Sequence, residues 1–301
     1  MNESVTELKA ELLRSLNEGA PPNVALMRLL LHAEQADDAR CAIEAALAAS
    51  IAPYGAGIVD GLHQVERLWK RNPDAWKTVR TIGRGHARPH PSADHALDYW
   101  SAAYDEVVRI SPEGSVALYS LGNIELLNAA TAEVVSYLRG MALLGFERRL
   151  LELGCGIGRL VEALAPEVGL AVGVDISAEM VRHAERRCRV LANVKIARCS
   201  GRDLAPFADS SFDVVLAADV FPYIFEAGDA VVRNTLRESA RVLAPNGAMV
   251  VLNFSYRGRP EADRADLAQF AGALGFDIVE NGACPFRLWD GLAFVLKKRA
   301  E

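Results

Sequence analysis

Leu151-Glu152-Leu153-Gly154-Cys155-Gly156-Ile157-Gly158-Arg159-Leu160 runs from an apolar segment into a helical one through three glycines at alternate positions. A backbone that leaves a strand and enters a helix this abruptly needs residues without a Cβ, and so does a turn that a ligand must approach closely. The helix that follows offers unpaired N–H groups to an anion. The spacing is G-x-G-x-G, and Arg159 stands where the dinucleotide fingerprint G-x-G-x-x-G needs its third glycine. Glu152 precedes the first glycine, and a second acid, Asp175, closes the next apolar run, Val172-Gly173-Val174-Asp175-Ile176-Ser177. A carboxylate at the end of a second strand can accept both hydroxyls of a ribose. Ser177 and Glu179 also read as a helix start, so Asp175 taken alone fits a helix-terminal acid as well.

Outward from this turn the chain alternates. β-like runs fall at 149–153, 170–175, 193–198, 213–218 and 247–254, with helical stretches at 157–165, 178–191 and 227–242 between them. Apolar strands separated by helices predict a parallel sheet covered on both faces. Residues 276–281 and 291–298 are strands joined by too few residues for a helical crossover, and they predict an antiparallel pair at one edge. The expected fold is a doubly wound, mostly parallel seven-stranded α/β sheet with an antiparallel edge hairpin, preceded by an all-helical N-terminal domain.

That helical domain is assigned to residues 1–80. Pro21-Pro22 sets up a helix start, and Ile58, Leu62, Val65 and Trp69 recur at helical spacing as a core-facing stripe. It carries no glycine loop and no clustered carboxylates, and its expected role is self-association, as in a homodimer, or a lid. Residues 81–94 read as a basic Gly/Pro linker containing Arg84, Arg88, His86 and His90, and the sheet domain follows over 95–301. The histidines lack the helical frame of a metal site, and no metal is expected.

The whole chain of 301 residues has 33 Lys+Arg against 39 Asp+Glu, a net charge of −6, with 51% hydrophobic and 24% charged residues. This is the balance of a globular protein, not of a disordered chain or a phosphate-binding surface. No apolar run is long enough for a membrane span, and the polar N-terminus does not resemble a secretory signal. Five cysteines without C-x-x-C spacing give neither a disulfide framework nor a zinc knuckle, and the expected location is the cytoplasm.

On these motifs, residues 149–298 resemble a class I S-adenosylmethionine-dependent methyltransferase domain. The resemblance implies that Gly154, Gly156 and Gly158 lie against the methionine part of the cofactor, with Glu152 in the same motif. Asp175 would hold the ribose and Ile176 would pack on the adenine. Ser200-Gly201-Arg202-Asp203, ahead of Ser211-Phe212-Asp213, is similar to the family's adenine-binding segment, although Gly201 stands where an acid is common and Asp203 lies two residues along. The fourth strand brings Ala217 to the cofactor.

Beyond it comes Asp219-Val220-Phe221-Pro222-Tyr223, at the strand end where such sheets bind ligands. The D-P-P-Y motif of base-modifying methyltransferases is only superficially similar, since two residues separate Asp219 from Pro222. Asp219 and Tyr223 are the candidate catalytic residues, and Tyr104, Tyr119, Phe221 and Tyr256 the candidate pocket. With Arg257 and Arg259 nearby, a small, partly apolar, anionic substrate is expected. Methyl transfer depends mainly on alignment, and a base is needed only if the nucleophile arrives protonated.

The leading expectation is methyl transfer to a small-molecule O, N or C acceptor, with S-adenosylhomocysteine as product. The alternatives are a non-catalytic cofactor- or partner-binding module, a methyltransferase acting on protein or nucleic acid, and a dinucleotide oxidoreductase. The acidic balance of the sheet domain disfavours nucleic acid.

Overall fold

Strand residues with apolar side chains on both faces are stable only when helices cover them, and the three innermost runs of this chain are of that kind. The computed structural model describes residues 3–49, 55–86 and 95–300. The chain separates into two compact units.

The first unit comprises Met1–Arg88, Glu106–Ala130 and Phe286–Asp290. Its helices are α1 (Glu3–Asn17), α2 (Pro22–His32), α3 (Ala36–Ala49), α4 (Ala56–Arg71), α5 (Ala75–His86), the last third of α6 (Ala96–Ile110), α7 (Pro112–Val116) and the start of α8 (Ile124–Gly140). Pro22 is the first residue of α2, where its missing N–H costs nothing. Leu26, Leu29 and Leu30 on α2 are fully buried with Leu62 and Val65 of the α4 stripe, and Ile58 and Trp69 pack against them. Leu121 belongs to the same core. The Asn23 side-chain amide donates to the carbonyls of Tyr119 at 3.0 Å and Leu288 at 2.7 Å, tying α2 to both later segments. Residues 81–86, expected to begin a linker, continue α5, and residues 87–94 of that expected linker lie outside the described residues.

The second unit comprises Pro89–Asp105, Thr131–Pro285 and Gly291–Glu301. Its strands are β1 (Gly145–Leu153), β2 (Val168–Asp175), β3 (Val194–Arg198), β4 (Phe212–Ala218), β5 (Leu243–Leu252), β6 (Phe276–Ala283) and β7 (Ala293–Lys298). They form a seven-stranded sheet in the order β3-β2-β1-β4-β5-β7-β6, parallel except for the pairs that β7 makes. This is the expected sheet, with the antiparallel pair at one edge and β7 inserted between β5 and β6. The helices between strands are α9 (Arg159–Leu164), α10 (Ala178–Cys188), α11 (Phe221–Glu226), α12 (Asp229–Val242) and α13 (Pro260–Ala273).

The strand order reverses between β1 and β4, the place where open α/β sheets bind ligands. Leu153 pairs with Val174 on one side and Ala217 on the other, so β1, β2 and β4 end at one level. Their carboxyl ends form the edge from which the site is built.

Candidate functional site

Gly154, Gly156 and Gly158 all hold left-handed backbone, at φ 64, 54 and 76. L-residues avoid that region, which is why this turn is made of glycine. At Gly158 a Cβ would also lie 2.9 Å from the Ala184 Cβ and 3.1 Å from its Cα, so α10 packs directly on the turn. Arg159 opens α9, is buried, and donates to Thr131 Oγ1 at 3.0 Å. The position that a dinucleotide turn gives to glycine is therefore filled by a large anchored side chain.

Asp175 ends β2 with its carboxylate buried beside the turn. Oδ2 accepts from the Gly156 N–H and Oδ1 from the Ser177 N–H, each at 2.8 Å. Burial raises its pKa to about 6, against the pull of these backbone donors. Ser177 also caps α10, its hydroxyl accepting from the Met180 N–H at 3.1 Å. The acid supports the start of α10 and still has lone pairs to spare. Glu152 is buried on β1, its Oε2 meets no hydrogen-bond partner, and burial raises its pKa to about 8.

The first two thirds of α6, up to Asp105, are tied to these strand ends. Asp105 Oδ1 accepts from the Ser177 hydroxyl at 2.6 Å and from the Glu179 N–H at 2.9 Å, and the Ser101 hydroxyl donates to the Ile176 carbonyl at 3.0 Å. Ile176 is half-buried, and a Cβ on Gly201 would lie 2.8 Å from its Cγ2 and 3.4 Å from Leu97. Ile176 and Gly201 thus adjoin. Arg202 and Asp203 are exposed; the Asp203 carboxylate accepts from the Ala205 N–H at 3.1 Å and the Arg202 carbonyl accepts from Asn234.

At the end of β4, Asp219 adopts φ 58 and Asn253, beyond β5, adopts φ 68. Asp219 Oδ1 accepts from the Asn253 amide at 2.8 Å and from the Tyr256 hydroxyl at 2.9 Å. Tyr104, Tyr223 and Tyr256 are brought together here with Trp100. Loss of water around the Tyr223 hydroxyl, then the Asp219 charge, push that phenol well above its ordinary pKa.

Four sequence expectations are corrected. Phe221 does not line a pocket: it is fully buried and stacks on Phe254 at 5.7 Å, because the supposed loop is the helix α11, with Pro222 in its first turn. Tyr119 belongs to the helical unit, where it is buried and stacks on Trp289 at 5.7 Å. The Ala217 side chain lies wholly in the hydrophobic core, leaving only its backbone near the strand end. Arg257 is committed to Asp263 at 2.6 Å and Asp266 at 2.7 Å, with its guanidinium over the Phe225 ring, so it does not serve an anionic substrate. Asn253, Ser101 and Asp105 were missed, as they form no spacing motif with the residues they hold.

Residues 151–251 match the family model described as "Methyltransferase domain". Over those residues the chain is similar to a methyltransferase domain. Over 155 residues it is 32% identical to a demethylmenaquinone methyltransferase of Clavibacter sepedonicus, covering 52% of this chain and 58% of that protein. Over 144 residues it is 31% identical to 27-O-demethylrifamycin SV methyltransferase of Amycolatopsis mediterranei, covering 46% and 51%. The chain spans about half the length of the curated relatives it matches. A solved structure of Haemonchus contortus phosphoethanolamine N-methyltransferase 1, in complex with phosphoethanolamine and S-adenosylhomocysteine, shares the fold with TM-score 0.56 and 15% identity, over 70% of this chain and 51% of that one. The matched segment runs from the end of β1 almost to the end of β5, and so includes the glycine turn, Asp175 and Asp219.

Proposed function

We propose that this protein transfers a methyl group from S-adenosylmethionine to a small-molecule acceptor at the carboxyl ends of β1, β2 and β4. The observation that carries the proposal is the Asp175 carboxylate, fixed by the Gly156 and Ser177 N–H groups beside a turn of left-handed glycines. A carboxylate held this way is an oriented acceptor for two vicinal hydroxyls, as on a ribose. The structure fits such a cofactor in two further respects. Glu152 has a buried oxygen without a partner, in the strand that leads into the turn. Ile176 and Gly201 give an adjoining apolar surface for a base.

When bound, S-adenosylmethionine supplies a methyl group already activated on a sulfonium. The chain therefore has to orient the acceptor and exclude water, since alignment of nucleophile, carbon and sulfur provides most of the acceleration. Asp219 serves as the proton acceptor where the nucleophile arrives protonated, with Asn253 and Tyr256 holding its Oδ1. Arg159, buried and bonded to Thr131, argues against a dinucleotide. The acidic net charge favours a small molecule over nucleic acid. The helical unit is proposed as a self-association module, which sedimentation would test.

Calorimetry with S-adenosylhomocysteine and NAD tests the cofactor. Binding of the former alone is expected, and binding of NAD alone would overturn the reading. Release of S-adenosylhomocysteine on incubation with metabolite pools then tests turnover.

A further inference from the structure

Tyr223, in the first turn of α11, is the hub of a ring cluster. Trp100 meets it edge-on at 4.7 Å between centroids, Tyr104 at 5.3 Å and Tyr256 at 5.7 Å. Trp100 and Tyr104 come from the part of α6 that Ser101 and Asp105 tie to the strand ends, and Tyr256 follows β5. The Tyr256 hydroxyl donates to Asp219 and lies 3.5 Å from the Tyr223 hydroxyl. The Tyr256 residue is nevertheless 54% exposed, so solvent reaches the cluster on the side of the carboxylate.

The chemistry here is one-sided. Tyrosine hydroxyls can donate hydrogen bonds but bring no positive charge, and the high pKa of Tyr223 keeps it protonated. The arginine next in sequence, Arg257, is neutralised by Asp263 and Asp266. An anion brought here would meet the Asp219 carboxylate and the negative faces of aromatic rings. A cation gains from both.

We propose that the acceptor is a small amine that enters as its ammonium form and is held by Asp219 and the faces of Tyr104, Tyr223 and Tyr256. The inference rests on the methyl-transfer reading and names its substrate class. In the reaction the ammonium group loses one proton, which passes through the Asp219 carboxylate to solvent. The freed nitrogen lone pair forms the new N–C bond as the C–S bond of the sulfonium breaks. The sulfur keeps that electron pair and leaves as a neutral sulfide, and the methylated nitrogen carries the positive charge. Trp100 is a positioning residue that backs Tyr104 and Tyr223.

Tetramethylammonium is the probe, read by saturation-transfer NMR on protein saturated with S-adenosylhomocysteine. 2,2-Dimethylpropanol serves as its neutral counterpart and acetate as an anion. Tetramethylammonium is expected to saturate in the low millimolar range, and the neutral alcohol to bind about tenfold more weakly. Asp219→Asn and Tyr104→Leu should each weaken tetramethylammonium by roughly fivefold or more, with melting curves reporting the fold. If Tyr104→Leu fails to fold, Tyr223→Leu replaces it. Equal binding of cation and alcohol, preference for acetate, or indifference to both substitutions overturns the proposal. If S-adenosylhomocysteine does not bind at all, the methyl-transfer reading falls and takes this inference with it. If it binds and tetramethylammonium does not, only the amine class falls.

Discussion

The Asn253 side-chain amide reaches 2.8 Å to the Asp219 carboxylate, and both residues hold left-handed backbone at the ends of neighbouring strands. Each main-chain N–H continues the ladder beyond its strand, Asp219 to Leu252 O at 2.8 Å and Asn253 to Leu292 O at 2.7 Å. Asp and Asn tolerate this conformation better than other L-residues, so the pair keeps its strand ends paired while turning two polar side chains toward each other.

Asn253→Gly and Asn253→Ala separate conformation from chemistry. Both remove the amide donor, but only alanine keeps a Cβ in the left-handed region. Thermal or urea unfolding should find Asn253→Ala less stable than Asn253→Gly by about 1–2 kcal/mol. Equal stability would show that the backbone relaxes at no cost. Both variants should lose turnover, since Asp219 loses one of its two named donors.

Asp175 predicts a pH dependence for the cofactor. Its folded pKa is raised to about 6, so lowering pH through that value protonates the proposed ribose acceptor. Affinity for S-adenosylhomocysteine should be constant above pH 7 and fall below 6, by at most about tenfold per pH unit. Calorimetry between pH 5 and 8, a window of about three pH units around that value, checks it. Asp175→Asn should bind more weakly and with a flatter profile, and an unchanged slope would place the titrating group elsewhere.

Glu152 makes a separate prediction, about stability. Its pKa is raised to about 8 by burial, so the folded state keeps a proton that the unfolded chain has already lost. Stability from this group is full in acid, below the ordinary carboxyl value, and declines as pH rises to about 8. The loss is on the order of 3–5 kcal/mol for the protein without cofactor. Glu152→Gln should flatten that decline in urea titrations at pH 5 to 8, while an equally steep variant would assign the slope to other groups.

Phe221→Ala should act on the core and not on the acceptor. The ring is fully buried against Phe254, so its removal should cost about 3–5 kcal/mol of stability. A raised acceptor KM with an unchanged melting temperature would restore Phe221 to the pocket.

The glycine turn and the acids around it were legible because their reason is local: a turn without Cβ atoms next to a strand end has to be written in consecutive residues. The strands were legible for the same reason, as buried parallel strands are continuous apolar runs. Phe221 was misplaced because an aromatic in a short segment after a strand reads as pocket wall, although Pro222 in the first turn of α11 was an available helix signal. Arg257 was misread because Asp263 and Asp266, which neutralise it, come from the next helix. Ser101 and Asp105 were invisible, since their partners Ile176, Ser177 and Glu179 lie across the fold with no spacing to mark them.

The placement of Phe286–Asp290 in the helical unit has a consequence for synthesis. Asn23 waits for the Leu288 carbonyl and Tyr119 for the Trp289 ring. The helices translated first therefore leave the ribosome with their partners in 286–290, Asp290 for Arg28 among them, still unmade, and they complete their unit only after β6 has emerged. A chaperone that shields exposed apolar helices during that interval would raise the yield of this protein, and a chain stalled before residue 286 would be the form most open to degradation.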